Sequence, residues 1–328
     1  MQTQWENDGA VFSPLIEYVA SEPHLVKPHW HDWHITRMTG GMNNILYRAT
    51  NGEHDVAIKW VIRDDRDRAG REYAAMLAMQ QAGLSVAPTP ILLEQERYAQ
   101  PVVVYQWLHG DVNGNLPTTD AEWRHVLQHF ALVHSITPDT ITVPLKPGAL
   151  NANTVEEGRQ LVRQHLAKLP GEAQPAELRE LVGRFEASAL PNWPEIPRGL
   201  CRVDTNLLNF IRQPEQWASV DWENGGWGDP TFDMAQLMTH PVYMDVPLCR
   251  WEWVVTTYCD MRRQPAYAPR IWDYYSILMV WWVVRFARCL YEFPRKLDQR
   301  LVDMPANWET DIRAKYTHYL TVAETLYA

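Results

Sequence analysis

The sequence contains no block of lysine or arginine side chains, and its acidic residues outnumber its basic ones by 40 to 30. A chain with a net charge of −10 repels a polyanion, and it has no basic stretch that follows a run of phosphates. A nucleic-acid partner is therefore disfavoured. The long-range field of such a chain instead favours small cationic partners.

Cysteine is scarce as well. The four cysteines form no C-x-x-C pair and are too scattered for a disulfide scaffold: Cys201, Cys249, Cys259 and Cys289. We expect reduced thiols, and with them a cytoplasmic location.

A cluster of four histidines near the start has no cysteine partner and no helical H-x-x-x-H spacing, so we expect a solvated loop and no zinc site: His24, His29, His31 and His34.

Long hydrophobic runs are also missing. The first ten residues have no basic start followed by an apolar stretch, so we expect neither a signal peptide nor a lipid anchor. The longest apolar stretch runs from Ser276 to Val284 and is followed by Arg285. It falls well short of the roughly 20 residues that span a bilayer, which predicts a buried helix and no membrane partner.

The first third of the chain alternates short β-rich runs with a single helical segment. Asn51 and Gly52 mark a hairpin turn because both tolerate positive φ, and Gly83 ends a helix predicted over Arg68 to Ala82. An antiparallel sheet with one packed helix follows from this order. The predicted strands are His34 to Thr39, Ile45 to Ala49, Asp55 to Ile62, Pro90 to Leu93 and Val102 to Trp107.

Beyond Trp107, the Gly- and Asn-rich stretch LHGDVNGNLP reads as a linker, and helical periodicity then dominates. A length of 328 residues favours two lobes, which we place at 1–107 and 108–328. Predicted helices cover Thr119 to His134, Thr154 to Lys168, Ala176 to Ser188, Thr231 to His240, Pro247 to Met261, Arg270 to Glu292 and Trp308 to Tyr327.

Tryptophan is abundant, with 16 residues, and many lie in the second half of the chain. Five of them fall on predicted helices, where helical neighbours must pack, so we expect core positions first: Trp251, Trp253, Trp272, Trp281 and Trp282. The alternative is an aromatic cage, which binds quaternary or protonated amines by cation–π contacts.

Three polar residues in the second half have the side chains that phosphoryl transfer needs. Asp204 and Asn209 lie five residues apart in a polar segment, and Asp221 ends an apolar run. A carboxylate orients the attacking hydroxyl, and carboxylate and amide oxygens are ligands for Mg²⁺. In the first half, Lys59 lies on an otherwise apolar strand, so it must either reach outward to solvent or meet an anion.

These residues stand in motifs that resemble one family. The pattern D-x4-N, then V-D-W-E and G-W-G-D-P-x2-D, looks like the aminoglycoside phosphotransferase and choline kinase-like family. MTGGMNNILYRAT, VAIKW and REYAAMLAM are similar to earlier family segments, so the resemblance runs from Ile35 to Gln236. It implies an α+β, protein kinase-like fold with a small antiparallel-sheet lobe, a larger mainly helical lobe, and ATP between them.

The resemblance also implies roles for single residues. Asp204 would be the catalytic base, and Asn209 and Asp221 would bind Mg²⁺. Lys59 would contact the α and β phosphates, held in place by an ion pair with Glu72.

Other implied roles concern the nucleotide and the catalytic loop. A turn over the phosphates would be formed by Gly40, Gly41, Asn43 and Asn44. The connection between the lobes, from Val104 through Tyr105 to Trp107, would offer its backbone to the adenine. Asp233 would brace the catalytic loop from behind.

One residue departs from the family pattern. Arg202 stands two residues before Asp204, where the family commonly has histidine. If Arg202 replaces that histidine structurally, its head group should be buried and should bond a carboxylate, Asp233 first, or backbone carbonyls. The competing arrangement has Arg202 pointing into the cleft and favours a nucleotide-binding pseudokinase that senses or scaffolds.

The resemblance thus implies an ATP- and Mg²⁺-dependent kinase that phosphorylates a hydroxyl of a small molecule. It leaves several acceptors open, namely aminoglycosides, choline- or ethanolamine-like molecules and other small alcohols, because a fold does not select among them.

Overall fold

The structure is a computed structural model that describes residues 9–22, 28–38, 44–297 and 304–328. Its first part is a small antiparallel sheet with helices on both faces, and the rest is mainly helical. The predicted α+β class with a small sheet lobe and a larger helical lobe is therefore confirmed.

The sheet has six strands in the order β1-β2-β3-β4-β6-β5, and all neighbours are antiparallel. Each predicted strand is present, with ends shifted by at most two residues, because alternation of apolar residues is a local signal. The strands are β1 His29–Trp30, β2 Trp33–Met38, β3 Ile45–Thr50, β4 Asp55–Trp60, β5 Pro90–Glu94 and β6 Val102–Gln106.

The two faces of this sheet bury different helices. Along β4, Ile58 belongs to the apolar cluster beneath helix α1 (Gly9–Ser21), whereas Ala57 belongs to the cluster beneath helix α2 (Arg68–Gln81). Side chains alternate between the faces of a strand, so Lys59 lies on the α2 side. Helix α2 matches the predicted helix.

The sequence prediction gave no helix before the sheet, yet α1 covers one whole face of it with buried Phe12, Leu15 and Ile16.

The histidine cluster was expected in a loop, and this was wrong for two of its members. His29 and His34 pair across the β1–β2 hairpin, where neighbouring strands hold them extended. His24 lies outside the described residues.

The larger part is built around α8 (Tyr267–Glu292), a 26-residue helix against which α4, α6 and α9 pack. All seven predicted helices are present, and Thr119 and Thr154 cap α3 and α4 through their side chains. The helices are α3 Asp120–Val133, α4 Val155–Leu166, α5 Ala176–Ala187, α6 Pro230–Thr239, α7 Leu248–Arg262, α8 and α9 Trp308–Leu326. None of the described helices is both long and apolar enough to cross a membrane.

The C-terminal tryptophans divide into two groups. Trp251 and Trp281 are buried in the helical core, as expected. The other three are partly buried and pack against the same core from its margin: Trp253, Trp272 and Trp282.

Two short ribbons in the larger part position the loops of the candidate site. Strands β7 (Gly199–Cys201) and β10 (Gly226–Gly228) pair with each other, as do β8 (Phe210–Ile211) and β9 (Ala218–Ser219). The residues between β7 and β8 form one loop, and those between β9 and β10 form the other. Both loops lie at the sheet because one apolar cluster joins Ala57 and Met76 to Leu200 and Trp222.

Candidate active site

Lys59 is the meeting point of three elements. Its Nζ donates to Glu72 Oε2 of α2 at 2.7 Å and to Asp221 Oδ1 of the β9–β10 loop at 2.5 Å. The residue is only 5% exposed. Burial alone lowers the pKa of Lys59, but the charges of Asp221 and Glu72 outweigh burial and raise this pKa well above its usual value. Lys59 is therefore a permanent buried cation that meets anions.

Glu72 has no solvent-exposed surface. Burial raises the pKa of Glu72 to about 7, although the charge of Lys59 opposes the rise. Its second oxygen, Oε1, is buried and has no hydrogen-bond partner among the described residues. Glu72 thus holds Lys59 through one oxygen only.

Asp221 follows β9 with φ of 65°, a left-handed conformation that aspartate tolerates better than most residues. The turn directs one carboxylate oxygen at Lys59. Burial raises the pKa of Asp221, but the charge and hydrogen bond of Lys59 outweigh burial, and the pKa is lowered. Asp221 is therefore ionised, and its Oδ2 has no hydrogen-bond partner in the described part of the chain.

Asn209 ends a short 3₁₀ turn, Leu207–Asn209, between β7 and β8. Its backbone carbonyl accepts from the Val220 N–H at 2.9 Å, which ties this loop to the loop of Asp221. The Asn209 carboxamide makes no hydrogen bond to any described residue. Together with Asp221 it supplies uncommitted oxygen donors, and hard oxygen ligands fit Mg²⁺.

Asp204 lies at the start of the same loop, and 29% of its side chain is exposed. Its Oδ1 accepts from the Asn206 N–H at 3.0 Å and lies 3.9 Å from His240 Nε2. Burial, and then the negative charge of Asp221, raise the pKa of Asp204. A carboxylate with a raised pKa is a better proton acceptor than an ordinary aspartate.

The loop that carries Asp204 is held from behind by Asp233 on α6. Its two carboxylate oxygens accept the N–H groups of Arg202 at 2.7 Å and Val203 at 2.8 Å. His134, at the end of α3, places Nε2 3.0 Å from the same carboxylate. His134 is a residue that the sequence prediction missed, since it lies 99 residues from Asp233 and in no recognisable motif.

A group with metal-ligand spacing lies here too, since His134, Cys201 and Asp233 are buried close together. The two ring nitrogens of His134 already bond Tyr258 and Asp233, and Asp233 holds the backbone. Hydrogen bonds within the protein therefore account for the cluster.

Arg202 has no exposed surface. Its guanidinium donates to Ser219 Oγ and to the Val220 carbonyl, each at 2.6 Å, and stacks 4.9 Å from the Trp222 ring centroid. The expected burial is confirmed. Asp233 as partner of the guanidinium was wrong, because that carboxylate is taken up by backbone N–H groups. The arrangement with Arg202 in the cleft does not occur.

Asn44 is the only member of the predicted phosphate-covering turn within the described residues, since Gly40, Gly41 and Asn43 lie outside them. Its side chain accepts from the Ile62 N–H at 3.2 Å and donates to Glu223 Oε2 at 2.6 Å. Both ends of the amide are thus engaged by protein groups.

Glu223 and Arg68 are further residues that the sequence prediction did not single out. They form a buried ion pair between the β9–β10 loop and the start of α2, and Arg68 also donates to Asp64 at 2.8 Å. Glu223 stands in the V-D-W-E motif itself, so its position beside Asp221 was a usable signal.

The predicted connection between the lobes, from Val104 to Trp107, lies on β6 and directly after it. Val104 faces α1, whereas Tyr105 faces the Lys59 side, and β6 is paired by β4 and β5 on its two edges. The Trp107 N–H donates to the Asp55 carbonyl at 2.9 Å, and its ring lies 4.9 Å from the Arg48 guanidinium. The N–H groups of Gln106 and Trp107 are therefore used within the sheet, and the contact of this segment with the adenine stays a prediction.

Comparisons with known proteins agree with this geometry. A family model described as "Phosphotransferase enzyme family" matches residues 34–288. The fold is similar to a putative aminoglycoside phosphotransferase from Ralstonia eutropha JMP134, with a TM-score of 0.66, 14% identity, and coverage of 95% of this chain and 98% of that one. No curated protein matches the sequence significantly.

Two further solved structures share the fold. A choline/ethanolamine kinase family protein from Mesorhizobium loti has a TM-score of 0.59 and 18% identity, covering 95% of this chain and 99% of that one. A spectinomycin phosphotransferase in complex with ADP and spectinomycin has a TM-score of 0.57 and 14% identity, with coverage of 95% and 97%.

Proposed function

Because the chain belongs to the phosphotransferase enzyme family, we propose that it transfers the γ-phosphoryl group of ATP to a hydroxyl of a small molecule. The observation that carries this proposal is the pairing of Lys59 with both Glu72 and Asp221, beside the partly exposed carboxylate of Asp204. A buried cation, an ionised metal-type ligand and a proton acceptor are the parts that phosphoryl transfer requires.

In this proposal Asp204 accepts the proton of the acceptor hydroxyl while the oxygen of that hydroxyl forms a bond to the γ-phosphorus. The bond between that phosphorus and the bridging oxygen breaks, and ADP leaves with the electron pair. Lys59 stays cationic and neutralises phosphate charge, while Glu72 holds it in position. Asn209 and Asp221 would hold Mg²⁺, which would supply positive charge to the phosphates.

We assign the acceptor to small alcohols that carry an amine. A cavity of about 640 Å³ lies among α6, α7, α8 and α9, with walls that include Trp251, Trp272 and Tyr275 and one acid, Glu252. Aromatic walls and a carboxylate suit a protonated or quaternary amine. Asp204 does not itself line this cavity, and the link between the two is Tyr243, which lines the cavity and donates its hydroxyl to the Thr205 carbonyl at 3.1 Å.

We also propose that the protein is located in the cytoplasm. The four cysteines form no disulfide with one another, and three of them are buried: Cys201, Cys259 and Cys289. Cysteines that form no disulfide fit a reducing compartment.

The test is ADP release with ATP, Mg²⁺ and a panel of alcohols. Choline, ethanolamine, spectinomycin and hygromycin B represent amine-bearing acceptors, and neutral sugars represent the others. We expect turnover with at least one amine-bearing alcohol and none in its absence. A chain that binds ATP but phosphorylates no alcohol would contradict the proposal and favour a pseudokinase, which Arg202 no longer supports because it is buried behind the loop.

A further inference from the structure

His240 follows α6 and begins the 3₁₀ turn Pro241–Tyr243, where its side chain caps the turn. Its Nδ1 accepts from the Val242 N–H at 3.3 Å. An imidazole nitrogen that accepts has no proton, so in the neutral ring the proton is on the other nitrogen, Nε2. That nitrogen is directed towards the site and lies 3.9 Å from Asp204 Oδ1.

This distance is too long for a direct hydrogen bond. The distance fits an arrangement in which His240 Nε2 and Asp204 Oδ1 both form a hydrogen bond with one oxygen atom that lies between them. If this oxygen lies about 2.8 Å from each, its two hydrogen bonds form an angle of about 90°. A hydroxyl can accommodate this angle, since it accepts from Nε2 and donates to Oδ1. Both side chains are partly open, with 20% of His240 and 29% of Asp204 exposed.

The ring is held in place by its surroundings. Trp282 of α8 contacts it edge to face, with ring centroids 5.8 Å apart. Burial, followed by the charges of Lys315 and Arg202, lowers the pKa of His240 to about 3. The imidazole therefore stays neutral wherever activity is measured, and it acts as a fixed donor.

We propose that His240 is a second residue that contacts the acceptor, and that its Nε2–H donates to the hydroxyl oxygen whose proton Asp204 takes. This inference rests on the proposed function. The donated bond occupies one lone pair of the oxygen and orients its proton towards Asp204. A second lone pair then faces the γ-phosphorus, and His240 neither gains nor loses a proton during transfer.

Two substitutions of His240 distinguish its proposed contact with the acceptor hydroxyl from its capping of the 3₁₀ turn. His240→Asn keeps an acceptor for the Val242 N–H but is too short to reach the hydroxyl. His240→Gln keeps a donor at about the reach of Nε2 and loses the cap. His125→Asn is the matched control, because His125 is partly exposed and also contacts a tryptophan ring, that of Trp217.

The experiment measures kcat/KM for an alcohol that the wild type phosphorylates, nucleotide affinity and Tm. We expect His240→Asn to lower kcat/KM for the alcohol about 10- to 100-fold, with nucleotide affinity and Tm unchanged. His240→Gln should recover part of the loss, and His125→Asn should match the wild type.

Unchanged alcohol kinetics in His240→Asn would overturn the role of His240 and leave the proposed function standing. A loss shared equally by all readouts would also overturn it, since the residue would then be structural. Wild-type protein that phosphorylates no alcohol would overturn the proposed function, and the role of His240 with it.

Discussion

At the scale of single residues, the surroundings of neighbouring carboxylates in the candidate site shift their pKa values in opposite directions. Lys59 lowers the pKa of Asp221, whereas burial raises that of Asp204 and that of Glu72. One carboxylate is therefore fixed in its ionised form beside a cation, and another is left able to accept a proton. Opposite shifts of this kind divide roles within an active site.

Replacing Asp204 by asparagine tests the role of the proton acceptor. Asp204→Asn keeps the side-chain shape and the acceptor for the Asn206 N–H, so the fold and nucleotide binding should be retained. Turnover should fall by about 10²- to 10⁴-fold because the carboxylate is lost. Steady-state ADP release measures this, with the exposed Asp245→Asn as control. Near-normal turnover would remove Asp204 from its role.

The raised pKa of Asp204 also predicts a pH dependence. A base acts only when it is unprotonated, so activity should be lost as the pH falls through the pKa of Asp204. Because that pKa is raised, the acid limb of kcat should lie above the usual range of an aspartate. A pH profile with nucleotide and acceptor saturating measures it. An acid limb at or below pH 4 would contradict the shift.

At the scale of elements, two short ribbons and the start of α6 hold the loop of Asp204 rigidly. Val203 has φ of 71°, a left-handed conformation that is costly for a β-branched residue. Its N–H is nevertheless held by Asp233. The strain is therefore imposed by the support behind the loop, next to the residue that is proposed to accept the proton.

This strain can be measured by comparing two truncations. Val203→Gly and Val203→Ala both remove the buried methyl groups, but only alanine keeps a Cβ in the left-handed conformation. We expect the glycine variant to be more stable than the alanine variant by about 1 kcal/mol. Chemical denaturation of both proteins gives the difference. Equal stabilities would mean that Val203 is not strained.

Arg202 stabilises the same loop from inside the core. Removing its guanidinium leaves Ser219 Oγ and the Val220 carbonyl without this donor and opens a cavity beside Trp222. Arg202→Ala should therefore lower the free energy of unfolding by about 2–4 kcal/mol. The partly exposed Arg184→Ala is the control for urea denaturation. A loss below about 1 kcal/mol would show that Arg202 does not support the loop.

The elements themselves were largely predictable from the sequence, because strand alternation, helical periodicity and caps such as Thr119 and Thr154 act over a few residues. Asp204, Asn209 and Asp221 could be grouped because a resemblance joined them. The partners of Arg202 and the bond from His134 to Asp233 could not be predicted, since they depend on how distant elements pack. Helix α1 was not predicted for a similar reason, because its apolar face is explained only by the sheet that it covers.

At the scale of the whole molecule, the site exists only where the sheet meets the helical part. Lys59 comes from β4, whereas Asp221 comes from a loop of the larger part, and their ion pair joins the two. Arg68 and Glu223 repeat this connection nearby. A nucleotide bound at this junction would contact residues from both sides.

Replacing Asp221 by alanine tests the metal at this junction. Asp221→Ala removes the ionised oxygen donor, so it should weaken nucleotide binding with Mg²⁺ by about tenfold or more and change metal-free binding much less. Calorimetric titrations of ATP with Mg²⁺ and with EDTA separate the two. Equal losses in both titrations would mean that Asp221 supports its loop without binding metal.

The apolar cluster that joins Met76 and Val103 to Leu200 and Trp222 has a consequence for the modularity of the chain. The two halves share this cluster although each also has an apolar core of its own, so the linker after Trp107 does not separate two independent units. Either half expressed alone would expose the apolar residues of this cluster to water. A chimera that takes its acceptor-binding half from a relative must therefore inherit both sides of this contact.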